Sequence, residues 1–234
     1  MSVAASSQLL QAAPGGGWWF ARWPSPAIAA GMTDRAGEPE ALVSALRAPV
    51  LTVAAEQVHG GSVAAVGSRQ VRGPIPGSDA LVTNLPGLAL LIRTADCLPT
   101  FFADPIHRAI GLAHAGWRGL AAELPARVIM AMRRAYRSRA EELTAAIGPS
   151  IRACCYDVGP EFEARLSPFV QEHRGCRTCD LIGAAMAQLY GCGVKPERIL
   201  DSQLCTACEV DRWFPLRREG HATGRLTSLI VLKP

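Results

Sequence analysis

The sequence predicts an α/β fold, and three observations carry that expectation. Leu88–Thr94 is a continuous apolar run of strand length, the signature of a strand covered on both faces. Segments with helical spacing, notably Pro125–Arg137 and Asp180–Tyr190, alternate with strand candidates. Apolar residues make up 49% of the 234, enough to fill a sizeable core.

Taken in order, residues 1–17 are rich in Ala, Ser and Gly and lack both a basic start and an apolar run, so they read as a disordered tail rather than a signal peptide. Residues 18–234 then form one domain. Trp18–Trp23 is an aromatic cluster expected as an edge strand packed on the core, and Pro39–Leu46 has a short helical pattern. Val50–Ala55 is a strand that delivers Gln57 and His59 at its end, and Val63–Val66 is the next. Arg69–Gly77, with two Pro and two Gly, is a loop that presents Asp79. Leu88–Thr94 leads into Asp96 and Cys97, Thr100–Ala103 is a strand, and Asp104-Pro105 is a turn. Ala109–Ala113 is a strand ending at His114. Leu120–Arg137 is helical in pattern, but Pro125 fits only a first turn, so the regular helix is expected to start at Pro125. Leu143–Ile147, Arg198–Asp201 and Leu226–Leu232 are strands, and Pro160–Leu166 is a helix. There is no internal repeat and no glycine signature of a dinucleotide-binding unit.

Charge and composition narrow the function. The net charge is +4, and Lys195 and Lys233 are the only lysines, so the basic residues are almost all Arg. No dense basic run alternates with aromatics, which argues against a nucleic-acid partner. No apolar run approaches the length of a membrane span. A cytoplasmic location is expected, where the eight Cys stay reduced and metal binding or catalysis explains them better than disulfides.

Chemistry concentrates in three segments: Gln57-Val58-His59-Gly60, Thr94-Ala95-Asp96-Cys97-Leu98-Pro99 and His114-Ala115-Gly116-Trp117-Arg118-Gly119. Singly, a Cys at a strand end is usually a small buried residue, and a lone His a hydrogen-bonded group. Together, His59, Cys97 and His114 are the ligand set of a metal site with an open position. Thiolate plus imidazole suits zinc, and the same donors accept copper. Gly116 and Gly119 permit close backbone approach. Asp79 reads either as a turn residue or as a group that moves a proton or orients a ligand. Arg118 is suited to bidentate phosphate recognition or to a plain ion pair. A further pattern is Cys176-x-x-Cys179 with Cys205-x-x-Cys208, the spacing of a four-thiolate structural zinc.

These segments, in this order, resemble the YfiH family, also called the laccase-domain or multicopper polyphenol oxidase family, the purine nucleoside phosphorylase family and the peptidoglycan editing factor. Ser78–Thr83, Ala146–Ile151, Cys155–Gly159, Cys205-Thr206 and Thr223–Arg225 add to the match, which spans roughly residues 50 to 232. The resemblance implies a four-layer α/β/β/α sandwich with mixed sheets. It implies metal ligands at His59, Cys97 and His114, catalytic roles for Asp79 and Arg118, and a substrate pocket lined by Gln57, Cys155 and Arg225. Cys205 belongs to the family's Cys-Thr motif, which is the alternative to its role in a second zinc site. After Gly31–Arg35 the family's Gly-rich turn and Ser-Leu-Asn stretch are missing, which leaves substrate specificity open.

The implied activities are phosphorolysis of adenosine, inosine, guanosine or methylthioadenosine, and deamination of adenosine, with nucleoside and phosphate as partners. The older assignment, copper-dependent oxidation of phenols, needs several His-rich copper sites. Five His without a His-x-His pair do not build them. Two alternatives stand beside the purine enzyme. One is a cysteine hydrolase using Cys97 and His114 on peptidoglycan precursors, which leaves His59 idle. The other is a zinc-stabilised interaction module with a closed site.

Overall fold

The structure, a computed structural model, describes residues 9–13, 17–21, 23–70, 72–173 and 175–234. In chain order the first half supplies β1 (Leu10–Ala13), β2 (Gly17–Phe20), β3 (Ile28–Thr33), α1 (Pro39–Ser44), β4 (Leu51–Ala54), β5 (Val63–Ala65), β6 (Ala80–Thr83), β7 (Leu88–Thr94), β8 (Leu98–Asp104) and β9 (Ala109–Ala115). The second half supplies α2 (Trp117–Ala121), α3 (Leu124–Tyr136), β10 (Thr144–Ile147), α4 (Glu163–Leu166), β11 (Val170–His173), β12 (Cys176–Cys179), α5 (Leu181–Gly191), β13 (Ile199–Asp201), α6 (Leu216–Glu219) and β14 (Leu226–Leu232).

Among the described residues, two six-stranded mixed sheets face each other. The first has the order β1-β2-β3-β14-β7-β4 and the second β13-β10-β8-β9-β6-β5. Strand alternation assigns the faces. Leu90 and Ile92 of β7 meet Phe101 of β8 and Ile110 and Leu112 of β9 in the layer between the sheets. The outer face of the first sheet, with Ala89, Leu229 and Val231, is covered by Leu42 of α1. The outer face of the second packs Ala109 and Ala113 against Val128 and Met132 of α3 and Leu181 and Leu189 of α5. The result is the four-layer α/β/β/α sandwich that the resemblance implies. β7, β8 and β9 are buried at nearly every position because both their faces are covered.

Gly111 shows how tightly these layers close. A Cβ there would lie 3.1 Å from Val128, 3.3 Å from Val82 and 3.4 Å from the Met132 sulfur, so the missing side chain lets α3 settle onto β9.

Several expectations are corrected. The expected disordered tail does not reach residue 17: Leu10–Ala13 pairs antiparallel with Gly17–Phe20, and Leu9 and Leu10 are buried. Residues 1–8 and 14–16 lie outside the described residues. The aromatic strand is not an edge strand, because β1 covers that edge; its Phe20 packs edge-on against Phe101 at 5.1 Å. The helical pattern from Leu120 is two helices. Glu123, with φ of 58°, breaks the chain, and Pro125 sits in the first turn of α3. His114 lies inside β9 rather than after it. The β11–β12 hairpin and α6 had no counterpart among the predicted elements.

Candidate metal centre and active-site cavity

The metal-ligand candidates meet where the chain passes between sheets. His59 follows β4 of the first sheet, Cys97 lies in the crossing from β7 to β8, and His114 is near the end of β9. One ligand atom of each residue lies within 4.8 Å of the others, and the two imidazoles stand edge to face, 4.7 Å apart. His114 is buried, Cys97 half-buried and His59 exposed, so the cluster opens outward on one side. Register brings the thiol in: β8 and β9 pair Leu98 with Ala115, which leaves Cys97 opposite Gly116. A Cβ on Gly116 would sit 2.9 Å from the Cys97 sulfur, so only glycine leaves room for it.

Asp79 builds the centre from behind. Its carboxylate accepts the His59 N–H at 2.8 Å and the Gly60 N–H at 2.7 Å, and lies 3.3 Å from His114 Nδ1. Gln57 and His59 both have left-handed backbones, φ 66° and 59°, a strain of about 1–3 kcal/mol each that these bonds offset. Burial pushes the Asp79 carboxyl upward, but the hydrogen bonds from His114, Gly60 and His59 outweigh it and hold its pKa below the usual range. With Nδ1 held by Asp79, His114 presents Nε2 to the ligand cluster. Burial likewise pushes the Cys97 thiol up, but hydrogen bonds to His114 and His59 bring it down to about 7. His114 responds in the opposite sense: burial lowers its pKa, and Asp79 and Cys97 raise it to about 9. A thiol already biased toward thiolate, beside two imidazoles with a carboxylate behind one of them, is a donor set that fits zinc.

The cluster opens into a cavity of about 310 Å³ that is also lined by Asp96, Arg118, Tyr156 and Arg217. That volume is at the small end of those that hold ligands. Arg118 is exposed, with its guanidinium 4.5 Å from the centre of the Trp117 ring. Arg217 lies over the Tyr156 ring at 4.9 Å and donates to the Asp157 carbonyl at 2.8 Å. Asp96 has φ of 80°, unusual for a non-glycine residue, and is buried. It accepts the Thr206 hydroxyl at 2.5 Å and the Arg217 N–H at 2.6 Å. Burial raises its pKa against these hydrogen bonds.

The remaining predicted site residues are not brought to the cavity wall. Gln57 spends both ends of its amide on the backbone of Arg93, donating at 2.6 Å and accepting at 2.7 Å. Arg225 donates to the Thr223 and Gly224 carbonyls and faces solvent. Cys155 sits among three other thiols. Asp79 lies behind His114 and not on the wall, which supports ligand orientation over direct proton transfer. The expected zinc set of Cys176, Cys179, Cys205 and Cys208 is not assembled. A Cys-x-x-Cys pair on a strand points its thiols to opposite faces, and here Cys176 is exposed while Cys179 is buried in the core. Asp96, Tyr156 and Arg217 went unassigned in the sequence reading. Asp96 and Tyr156 stand inside quoted motifs, beside Cys97 and Cys155, but Arg217 lies in a stretch with no pattern of its own.

Comparisons with known proteins place the chain among relatives. A purine nucleoside phosphorylase, YlmD, of Geobacillus stearothermophilus is 32% identical over 194 residues, covering 76% of this chain and 71% of its own. The crystal structure of YlmD from that organism superposes with a TM-score of 0.90 at 27% identity, covering 97% of this chain and 100% of the other. An adenosine deaminase from an unknown prokaryotic organism is 33% identical over 171 residues, 68% of this chain and 64% of its own. The family model described as multi-copper polyphenol oxidoreductase laccase matches residues 36–233. By that match and by its structural likeness, the chain belongs to this laccase-domain family, the YfiH family of its sequence motifs.

Proposed function

We propose that the protein is a zinc-dependent purine nucleoside enzyme. It cleaves adenosine, inosine, guanosine or methylthioadenosine with phosphate, and deaminates adenosine. The observation that carries this reading is the meeting of His59, Cys97 and His114 beside a cavity whose wall holds His59 and Cys97 together with Arg118, Arg217 and Tyr156. The names of the relatives, purine nucleoside phosphorylase and adenosine deaminase, support the two reactions. Zinc held by the three ligands supplies a Lewis acid and lowers the pKa of water toward neutrality.

The chain's own residues account for binding and proton handling. Arg118 has an exposed guanidinium whose donor fork matches two phosphate oxygens. Tyr156 offers an aromatic surface for a purine, with Arg217 over its ring. In phosphorolysis a phosphate oxygen bonds to the ribose carbon as the bond to the purine nitrogen breaks, and the departing purine takes up a proton. In deamination water adds to the amino-bearing carbon and ammonia leaves. Asp96 is the one carboxyl on the cavity wall among the described residues, so it is the group placed to pass a proton in either case. Asp79 positions His114 and the loop that carries His59.

The test is to incubate the protein with adenosine, with and without phosphate. Adenine and ribose phosphate are expected with phosphate, and inosine and ammonia from the water reaction. Chelation should abolish both, and zinc should restore them. A fully chelated protein that keeps its rate on nucleosides overturns the zinc requirement. Activity on peptidoglycan precursors alone, insensitive to chelation, supports instead the hydrolase reading, for which the approach of Cys97 and His114, with ligand atoms within 4.8 Å, is the favouring observation.

A further inference from the structure

Outside the cavity, four thiols converge from two loops. Cys154 and Cys155 lie in a turn of the segment that follows β10, and Cys205 and Cys208 lie in the turn that follows β13. Their sulfurs all fall within 4.8 Å of one another. Three of the separations are 3.8 Å for Cys154–Cys155, 3.7 Å for Cys154–Cys208 and 3.4 Å for Cys155–Cys208. A zinc ion with four thiolates at about 2.3 Å has sulfur–sulfur edges of about 3.8 Å. The four Cys therefore already stand near the corners that such an ion requires.

The local structure explains why these four assemble. Cys205-x-x-Cys208 lies in a turn, closed by the Cys208 N–H donating to the Cys205 carbonyl at 3.2 Å, which brings both thiols to one side. The two loops are tied together where Ser150 N donates to Leu204 O at 3.3 Å and Thr206 N donates to Ser150 O at 3.1 Å. The Arg218 guanidinium stands 3.9 Å from the Cys155 sulfur, a positive group beside what would be a doubly negative zinc–thiolate centre. Cys154 and Cys208 are exposed, so an ion has a path in, while Cys205 is buried.

We infer that Cys154, Cys155, Cys205 and Cys208 form a second, structural zinc site, distinct from the cluster of His59, Cys97 and His114. Its position gives it a role. Cys155 precedes Tyr156 on the cavity wall, and Cys205 precedes Thr206, whose hydroxyl holds Asp96. A metal joining the two loops fixes that wall from outside the cavity.

Metal content of the full chain, purified under reducing conditions with zinc present, is the test. Two zinc per chain are expected in the unaltered protein, and one in the Cys154→Ser/Cys208→Ser variant. Cys97→Ala should also hold one, and this variant isolates the four-thiol site. Loaded with cobalt, it should show an intense thiolate-to-metal charge-transfer absorption that further replacement of Cys208 removes. Cys176→Ser should leave the metal content unchanged. Should the double variant fail to fold, alkylation of the unaltered protein serves instead. Cys154, Cys155, Cys205 and Cys208 should resist modification until a chelator is added. A single zinc in the unaltered protein with none in Cys97→Ala overturns the site, as does prompt alkylation of all four without chelator. A Cys155–Cys208 disulfide in protein purified under reducing conditions with zinc present overturns it as well. The count of metals is independent of whichever reaction the cavity performs.

Discussion

At Asp79 a single carboxylate accepts from two backbone N–H groups and faces one imidazole, and no neutral side chain of the same shape can do all three. In Asp79→Asn the amide nitrogen must face either the Gly60 N–H or the His59 N–H and His114 pair. The expected cost is about 1–3 kcal/mol of stability, with metal affinity lower by about 10- to 100-fold. Titration of the metal-free variant with zinc checks this, and an unchanged affinity would remove Asp79 from the centre. Arg118→Lys keeps the charge and loses the fork. Apparent affinity for phosphate should fall on the order of tenfold, with adenosine deamination largely spared. Equal loss of both rates with phosphate affinity intact would make Arg118 a support of its turn. Asp104 provides the pH test. It is buried in the β8–β9 turn, accepts from the N–H groups of Ile106 and His107 at 2.9 and 3.0 Å, and pairs with the His107 ring at 2.9 Å. Burial pushes its pKa up, but the nearby Ser138 hydroxyl and the hydrogen bonds from His107 and Ile106 hold it below its ordinary 3.8. A depressed carboxyl contributes stability above its unfolded pKa and loses it as pH falls through the folded value. Melting of the unaltered protein should therefore steepen its decline below about pH 4, and Asp104→Asn should flatten that limb while lowering stability at pH 7. Parallel acid limbs would refute the assignment.

Elements enter the site through their register. β9 carries His114 three residues beyond Gly111, where Val128 and Met132 of α3 pack against the strand. Gly111→Val places a branched side chain where even a Cβ meets Val128, Val82 and Met132 at 3.1–3.4 Å. Overpacking of this kind should cost about 1–3 kcal/mol, read as a lower denaturant midpoint with unchanged slope. A midpoint equal to that of the unaltered protein would mean that α3 is free to shift. The same logic of faces separates the two Cys-x-x-Cys pairs, one divided by a strand and the other gathered by a turn.

On the scale of the molecule, the His59–Cys97–His114 centre sits at the end of the sandwich, with ligands from both sheets and from the crossing between them. An ion held there would cross-link the layers, since the three ligands converge only in the native state. With zinc free at a thousandfold its dissociation constant, the native state gains about 4 kcal/mol, which for a chain of this size is about 10 °C in Tm. Thermal melts of the Cys154→Ser/Cys208→Ser variant with and without chelator measure this for the centre by itself. An unchanged Tm in Cys97→Ala on chelation, beside a lowered one in the unaltered protein, would assign the whole gain to this centre and none to the four-thiol loops.

The sequence by itself determined the fold class, most strand and helix positions, and the three metal-ligand candidates. Leu88–Thr94 and Leu226–Leu232 match their predicted limits because period and composition are local properties. His59, Cys97 and His114 were readable because each stands inside an ordered motif beside glycines. Tertiary structure decided which distant residues share that cavity. Arg217 reaches Asp96 across 121 positions of chain, and no spacing rule encodes that meeting. It also moved Gln57, Arg225 and Cys155 off the wall, since their side chains are committed to backbone or to other thiols. Cys154 and Cys155 meet Cys205 and Cys208 because two loops are hydrogen-bonded side by side, whereas sequence spacing alone pointed to Cys176 and Cys179, whose thiols a strand turns to opposite faces.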